Sequence, residues 1–240
     1  PASVAGLALL VPLWILGLWL VTADFTARDE LALQLSTVTN SVGVAAAAAF
    51  VAVVVSVPIA YLAARDDSIA ARLFERATYV GFAVPGIVLG LALVFFATGF
   101  DGLDLPFVPS IYQTVPLLIF AYVVRFMPQA VGSIRTSTLQ VDPKLVEAAR
   151  TLGETPLTAF RTVTLPLVTP GIVAGAALVF LTTMKELPAT LILRPTGFET
   201  LVTLIWRAQA NAFYQYAVVP SLLLLVVSGL SMLVLLRQDS

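Results

Sequence analysis

Apolar residues fall in six stretches, each long enough to cross a bilayer and set apart by polar breaks. About 30 Å of hydrocarbon takes roughly 20 helical residues. On that measure spans are predicted at about Ala2 to Val21, Ser41 to Ala63, Thr78 to Thr98, Thr114 to Ser133, Pro170 to Leu187 and Ala217 to Leu236. No basic stretch precedes the first run, which argues against a cleavable signal peptide. The fold class that follows is all-α, a polytopic membrane bundle of six transmembrane helices.

One polar stretch is too long to be a simple turn. From Val146 to Leu167 the chain reads VEAARTLGETPLTAFRTVTLPL. Just before it, Asp142 stands as an N-cap with Pro143 at the first helical position, where the missing N–H costs nothing. A helix is predicted from there to about Leu152, closed by Gly153 in the left-handed conformation. Thr155 and Pro156 repeat the start signal, predicting a second short helix to about Thr164, ahead of Leu165 and Pro166. Both are too short to span and are expected on a surface. Leu145, Val146, Ala148, Ala149 and Leu152 share one side of the first helix and are expected against the bundle. Lys144, Glu147 and Arg150 take the other, facing either solvent or a partner.

Composition then narrows the class. Hydrophobic residues make up 59% of the 240 and charged residues only 11%, against roughly 25% charged in soluble domains. The 13 basic residues nearly balance 14 acidic ones, so no nucleic-acid footprint is expected. Cys and His are both absent, which removes a disulfide framework and the commonest metal ligands; no metal site is expected. Because Lys and Arg are retained on the cytoplasmic side, the split of eight against four between alternate loops puts both termini and the polar stretch in the cytoplasm. PGIVLG and PGIVAG each carry a GxxxG spacing, Gly86 with Gly90 and Gly171 with Gly175, that lets helix backbones approach closely. The first residue is proline, and the chain is read as part of something longer.

Three ionisable residues fall within or beside spans, where charge is costly and so suggests function. Arg125, placed toward the cytoplasmic end of the fourth span, either snorkels to the interface or takes part in bundle packing or gating. Pro128 beside it is expected to free a helix carbonyl. Lys185 and Glu186 lie near the outer end of the fifth span, which Pro188 is expected to end. As neighbours these two point in different directions, so one is expected to line the translocation pathway and the other to meet lipid headgroups or a binding protein; with Arg125 both are candidates for the pathway or its gating, and Glu186 is the preferred one for the pathway. Between Ala189 and Tyr216, FETLVTLIW has the apolar spacing of a short surface helix.

EAARTLG followed by TVTLPL resembles the EAA motif of ABC importer permeases: Glu147, Ala148, Ala149, Gly153, then Val163, Leu165 and Pro166. Val163 stands where that family usually has Ile. The stretches RFMPQAVGSIRTSTLQVDPKLVEAARTLG and TMKELPATLILRPTGFETLVTLIW are similar to permeases of its ferric-iron uptake branch. The likeness covers most of residues 75 to 236.

That resemblance implies a type I (MetI-like) importer bundle as a single domain over 1–240, with a coupling loop at about 142–166. It implies that Glu147, Ala148, Ala149, Gly153, Leu165 and Pro166 couple to a cytoplasmic ABC ATPase dimer. An extracytoplasmic substrate-binding protein and a second six-helix permease half or copy would complete the assembly in the lipid bilayer of a prokaryotic inner membrane. The branch typically fuses two such halves, and this chain looks like the second. No GxxxxGK[ST] phosphate loop occurs, so no enzyme activity is expected in this chain, and ATP and magnesium are assigned to the partner. Thiamine, sulfate and polyamine importers share the EAA loop and remain alternatives to ferric iron. A secondary transporter or channel fits less well, because the centres of the spans carry almost no charge.

Overall fold

A computed structural model describes residues 2–22, 35–66, 68–103 and 109–236. Arg28 and Arg237, which entered the charge comparison, lie outside them. The elements in chain order are α1 (Ala2–Thr22), α2 (Leu35–Arg65), α3 (Ile69–Ala83), α4 (Gly86–Asp101), α5 (Val115–Gln140), α6 (Pro143–Thr151), α7 (Pro156–Ala159), a π turn (Phe160–Thr164), α8 (Leu165–Met184), α9 (Pro188–Leu193), α10 (Leu201–Ala210), a 3₁₀ turn (Tyr214–Ala217) and α11 (Val218–Leu236).

Helices α2, α5 and α8 pack on one another as the centre of the bundle. Small residues make the approach possible. Ala45, Ala48, Ala49, Ala52 and Ala60 of α2 are buried, and their spacing keeps them on one helical face. On α8, a Cβ at Gly171 would stand 2.8 Å from the Ser133 carbonyl, and one at Gly175 would stand 2.9 Å from the Ala130 Cα. The glycine pair of the fifth span is therefore a packing seam between α8 and α5.

Four helical stretches among the described residues are long and apolar enough to cross a membrane: Leu35–Arg65, Val115–Gln140, Pro156–Met184 and Tyr214–Leu233. Helix α1 is also apolar, 21 residues with no charged side chain. The third predicted span differs from expectation. In place of one helix over 78–98, α3 and α4 meet at 103°. Pro85 is the cause: it denies an N–H to the helical ladder and holds Val84 extended at φ −75°, ψ 129°.

A second difference lies in the polar stretch. Its second helix is no surface piece ending at about Thr164, because Pro156–Met184 runs on as one span through the π turn. The widened turn precedes Pro166, whose ring in a regular helix would press on the carbonyl of Thr162. Only α6 is left as a separate short helix.

Candidate functional site: the capped helix and a buried polar latch

Helix α6 is built by its caps. The Asp142 side chain accepts a hydrogen bond from the Lys144 N–H at 2.9 Å, and Pro143 occupies the first turn. At the other end Gly153 takes φ +96°, and the Glu154 N–H reaches back to the Ala149 carbonyl at 3.1 Å. Thr155 then caps α7 by accepting from the Thr158 N–H at 3.2 Å.

No residue of α6 is buried. Glu147 and Ala148 are exposed, while Val146 and Ala149 are half-buried. The apolar side was expected against the bundle, and this is corrected: Leu145 is 49% exposed, Leu157 59% and Leu152 87%. The reason is geometric. The tight turn at Gly153 folds α6 back on α7 and the π turn, the start of the α8 span, and leaves the edge that carries Leu145 and Leu152 facing outward. An exposed apolar edge beside charged residues is the kind of surface that proteins use for partners. Leu165 is half-buried and Pro166 exposed in the first turn of α8, at the root of the loop.

The root of α6 is tied to α2, beside a set of contacts that joins α2, α3 and α5. Arg65 at the end of α2 donates to the Val141 carbonyl at 2.8 Å, one residue before the α6 cap. From α5, Arg135 pairs with Glu75 of α3 at 3.3 Å and donates to the Ala63 carbonyl of α2 at 3.4 Å.

At the far end of α8 lies a second cluster. Arg125 Nε stands 3.3 Å from Glu186 Oε2, with side chains 20% and 8% exposed. Arg125 Nη1 also donates to the Val84 carbonyl at 3.1 Å, the group left open where α3 breaks. Glu186 Oε1 accepts the Ala189 N–H at 3.1 Å, so the same carboxylate caps α9. The Thr190 hydroxyl donates to the Glu186 carbonyl and meets the Tyr122 hydroxyl at 2.6 Å. Gly86 gives this cluster its room, since a Cβ there would lie 2.6 Å from Glu186 Oε1 and 2.7 Å from Arg125 Nη1.

These positions revise two readings. Arg125 is not toward the cytoplasmic end of its helix: α5 continues past Ser133 to Gln140, which places Arg125 level with the end of α8. Its guanidinium turns to a protein carbonyl and a carboxylate and does not snorkel. Pro188 opens α9, and α8 has already stopped at Met184. Lys185 is exposed and stands outside the cluster. Sequence reasoning missed Tyr122 and Thr190 altogether; for the break at Val84 the usable signal was the Pro85–Gly86 pair, which commonly marks a turn.

The FETLVTLIW stretch forms α10, started by a reciprocal cap between Thr200 and Thr203. Leu201 and Leu204 are buried and Trp206 is 43% exposed. The Ser41 hydroxyl accepts the Leu201 N–H at 2.7 Å, fixing α10 to α2, and Glu199 pairs with Arg194 at 2.7 Å and with Arg207 at 3.4 Å.

A bundle of apolar helices with a bent third span and one capped helix projecting from its end is the architecture of a multi-pass membrane protein. Residues 56–238 match the family of binding-protein-dependent transport system inner membrane components, and the chain belongs to that family. It is 32% identical over 235 residues to the Fe(3+)-transport system permease protein FbpB 2 of Haemophilus influenzae, a match covering 98% of this chain and 45% of that one. It is 30% identical over 167 residues to the molybdate/tungstate transport system permease protein WtpB of Pyrococcus abyssi, covering 70% and 62%. The chain therefore spans about half the length of the first of these relatives. In fold it is similar to a chain of a bacterial alginate ABC transporter solved with an alginate pentasaccharide-bound periplasmic protein, at TM-score 0.76 and 15% identity over 99% of this chain and 90% of that one.

Proposed function

We propose that this chain is one six-helix half of an ATP-driven importer and forms part of the path for ferric iron handed over by an external binding protein. The observation that carries the reading is α6: a helix bearing Glu147, Ala148 and Ala149, capped at both ends, with none of its residues buried in the bundle. In this reading α6 sits in the cytoplasm against one subunit of an ATPase dimer, which holds ATP and magnesium. Gly153 sets the angle of α6, and Leu165 and Pro166 join the loop to α8. Movement of α6 is passed through Val141 and Arg65 to the ends of α2, α5 and α3. A second six-helix unit supplies the opposite wall of the path, as supported by a relative of about twice this chain's length.

Ferric iron is favoured by the likeness to FbpB 2 along 98% of the chain. An oxyanion such as molybdate is the second reading, favoured by the shorter likeness to WtpB. Reconstitution of the complete permease with its ATPase and binding protein in vesicles decides between them. ATP-dependent uptake of ferric iron is expected; uptake of molybdate and none of iron would replace the substrate. Cysteines introduced at positions 142 to 164 report the orientation, since they are expected to resist an impermeant thiol reagent added outside intact cells.

A further inference from the structure

Below the Arg125–Glu186 latch, α5 and α8 enclose an open groove of about 630 Å³. Its polar lining on α5 comes from Gln129, Ser133, Thr136, Ser137 and Gln140, with Gly171 on α8 opposite, and no charged side chain enters it. At about 100° per residue the five α5 positions fall in one stripe. The stripe is about 16 Å long at 1.5 Å per residue, roughly half of a hydrocarbon core. Gln129 accepts from the Thr182 hydroxyl at 3.1 Å and Thr136 bonds back to Gly132 at 2.9 Å. The side chains of Ser133, Ser137 and Gln140 hold no hydrogen bond to another described residue.

Hydrocarbon is a poor covering for such a stripe, because lipid offers no hydrogen-bond partner to the polar groups it would bury. The groove must face water or protein. We propose that it is the inner part of the solute path, facing the second six-helix unit across a water-filled gap. It serves a small inorganic ion that keeps its own shell of oxygen ligands, water or oxo, as it passes. Hydroxyl and carboxamide groups both donate and accept, so they exchange hydrogen bonds with such a shell, and the lack of carboxylates leaves nothing to strip the shell and trap a hard cation. Arg125, one turn before Gln129 on the same stripe, marks the outer limit of the groove with its partner Glu186. This assignment rests on the importer reading above and adds the residues of the path.

The test uses the complete transport complex in vesicles. This chain has no cysteine of its own, so Ser133→Cys and Thr136→Cys each add a single thiol, with Phe50→Cys and Phe95→Cys as apolar surface controls that are 71% and 76% exposed in the isolated chain. A charged methanethiosulfonate is expected to modify the two groove thiols at least about tenfold faster than the controls, since a thiolate forms in water and not in an apolar setting. Modification is also expected to stop import. Equal rates at groove and control positions in a complex that imports would overturn the groove as a water-lined surface. Fast modification with import unchanged would overturn its place on the path. A complex that imports neither ferric iron nor molybdate with its binding protein present counts against the importer reading, while the modification rates still decide whether the groove is wet.

Discussion

Arg125 and Glu186 show how much one pair can do when it is buried. The pair joins α5 to the α8–α9 turn, and through the Val84 carbonyl it also holds the break between α3 and α4. Removing one partner leaves a charge without compensation in an apolar setting, which costs about 3–5 kcal/mol. Arg125→Met is therefore expected to lower the thermal stability of the detergent-solubilised protein strongly, and the double variant Arg125→Met with Glu186→Leu to recover most of that loss. A double variant no better than the single one would show that the hydrogen bonds to the Val84 carbonyl and the Ala189 N–H, not the pair, are the important contacts. Gly86→Val is expected to cost about 1–3 kcal/mol by overpacking, as its side chain would fall where the carboxylate and guanidinium meet; unfolding of both variants by the same assay checks this. Both charged residues stood out in the sequence, because ionisable groups are rare in an apolar helix. That they find each other did not, since the register between α5 and α8 depends on where Gly171 and Gly175 let the helices close.

At the scale of the element, α6 was the most legible part of the chain. Its limits follow from Asp142, Pro143 and Gly153, whose preferences are local and need no tertiary contact. Because Glu147 is exposed and takes no part in folding, Glu147→Lys is expected to change stability by less than about 0.5 kcal/mol. ATPase recovered with the purified permease is expected to fall sharply in the same variant; full recovery would remove Glu147 from the contact. The second half of the loop was less legible. Thr155, Pro156, Leu165 and Pro166 spell a start and a stop, yet the chain passes through them as one helix, because a single π turn makes room for a proline that local propensity counts as a terminator. The third span is bent for the opposite reason. Hydropathy averages over Pro85 and sees one apolar run, whereas the backbone needs an N–H there and has none.

In the whole molecule the polar contacts gather at the two ends of the α2–α5–α8 core. One end holds the latch, and the other holds Arg65, Arg135, Glu75 and the Val141 carbonyl. Arg65→Met leaves that carbonyl without its donor, a loss of about 1–3 kcal/mol for a group kept from water. Faster amide exchange across residues 142–152 is expected, with ATP hydrolysis less tightly linked to import; unchanged exchange would place the support of α6 elsewhere. The order of apolar runs, the caps of α6 and the excess of basic residues in alternate loops were set by the sequence itself, through hydrophobic length, side-chain hydrogen bonding to the backbone and charge. Pro85 sets the break between α3 and α4 locally; only tertiary packing decided that Arg125 meets Glu186 and that a polar stripe of α5 lies open beside α8. Those outcomes depend on how closely glycine and alanine let distant helices approach, a quantity that no local pattern along the chain contains.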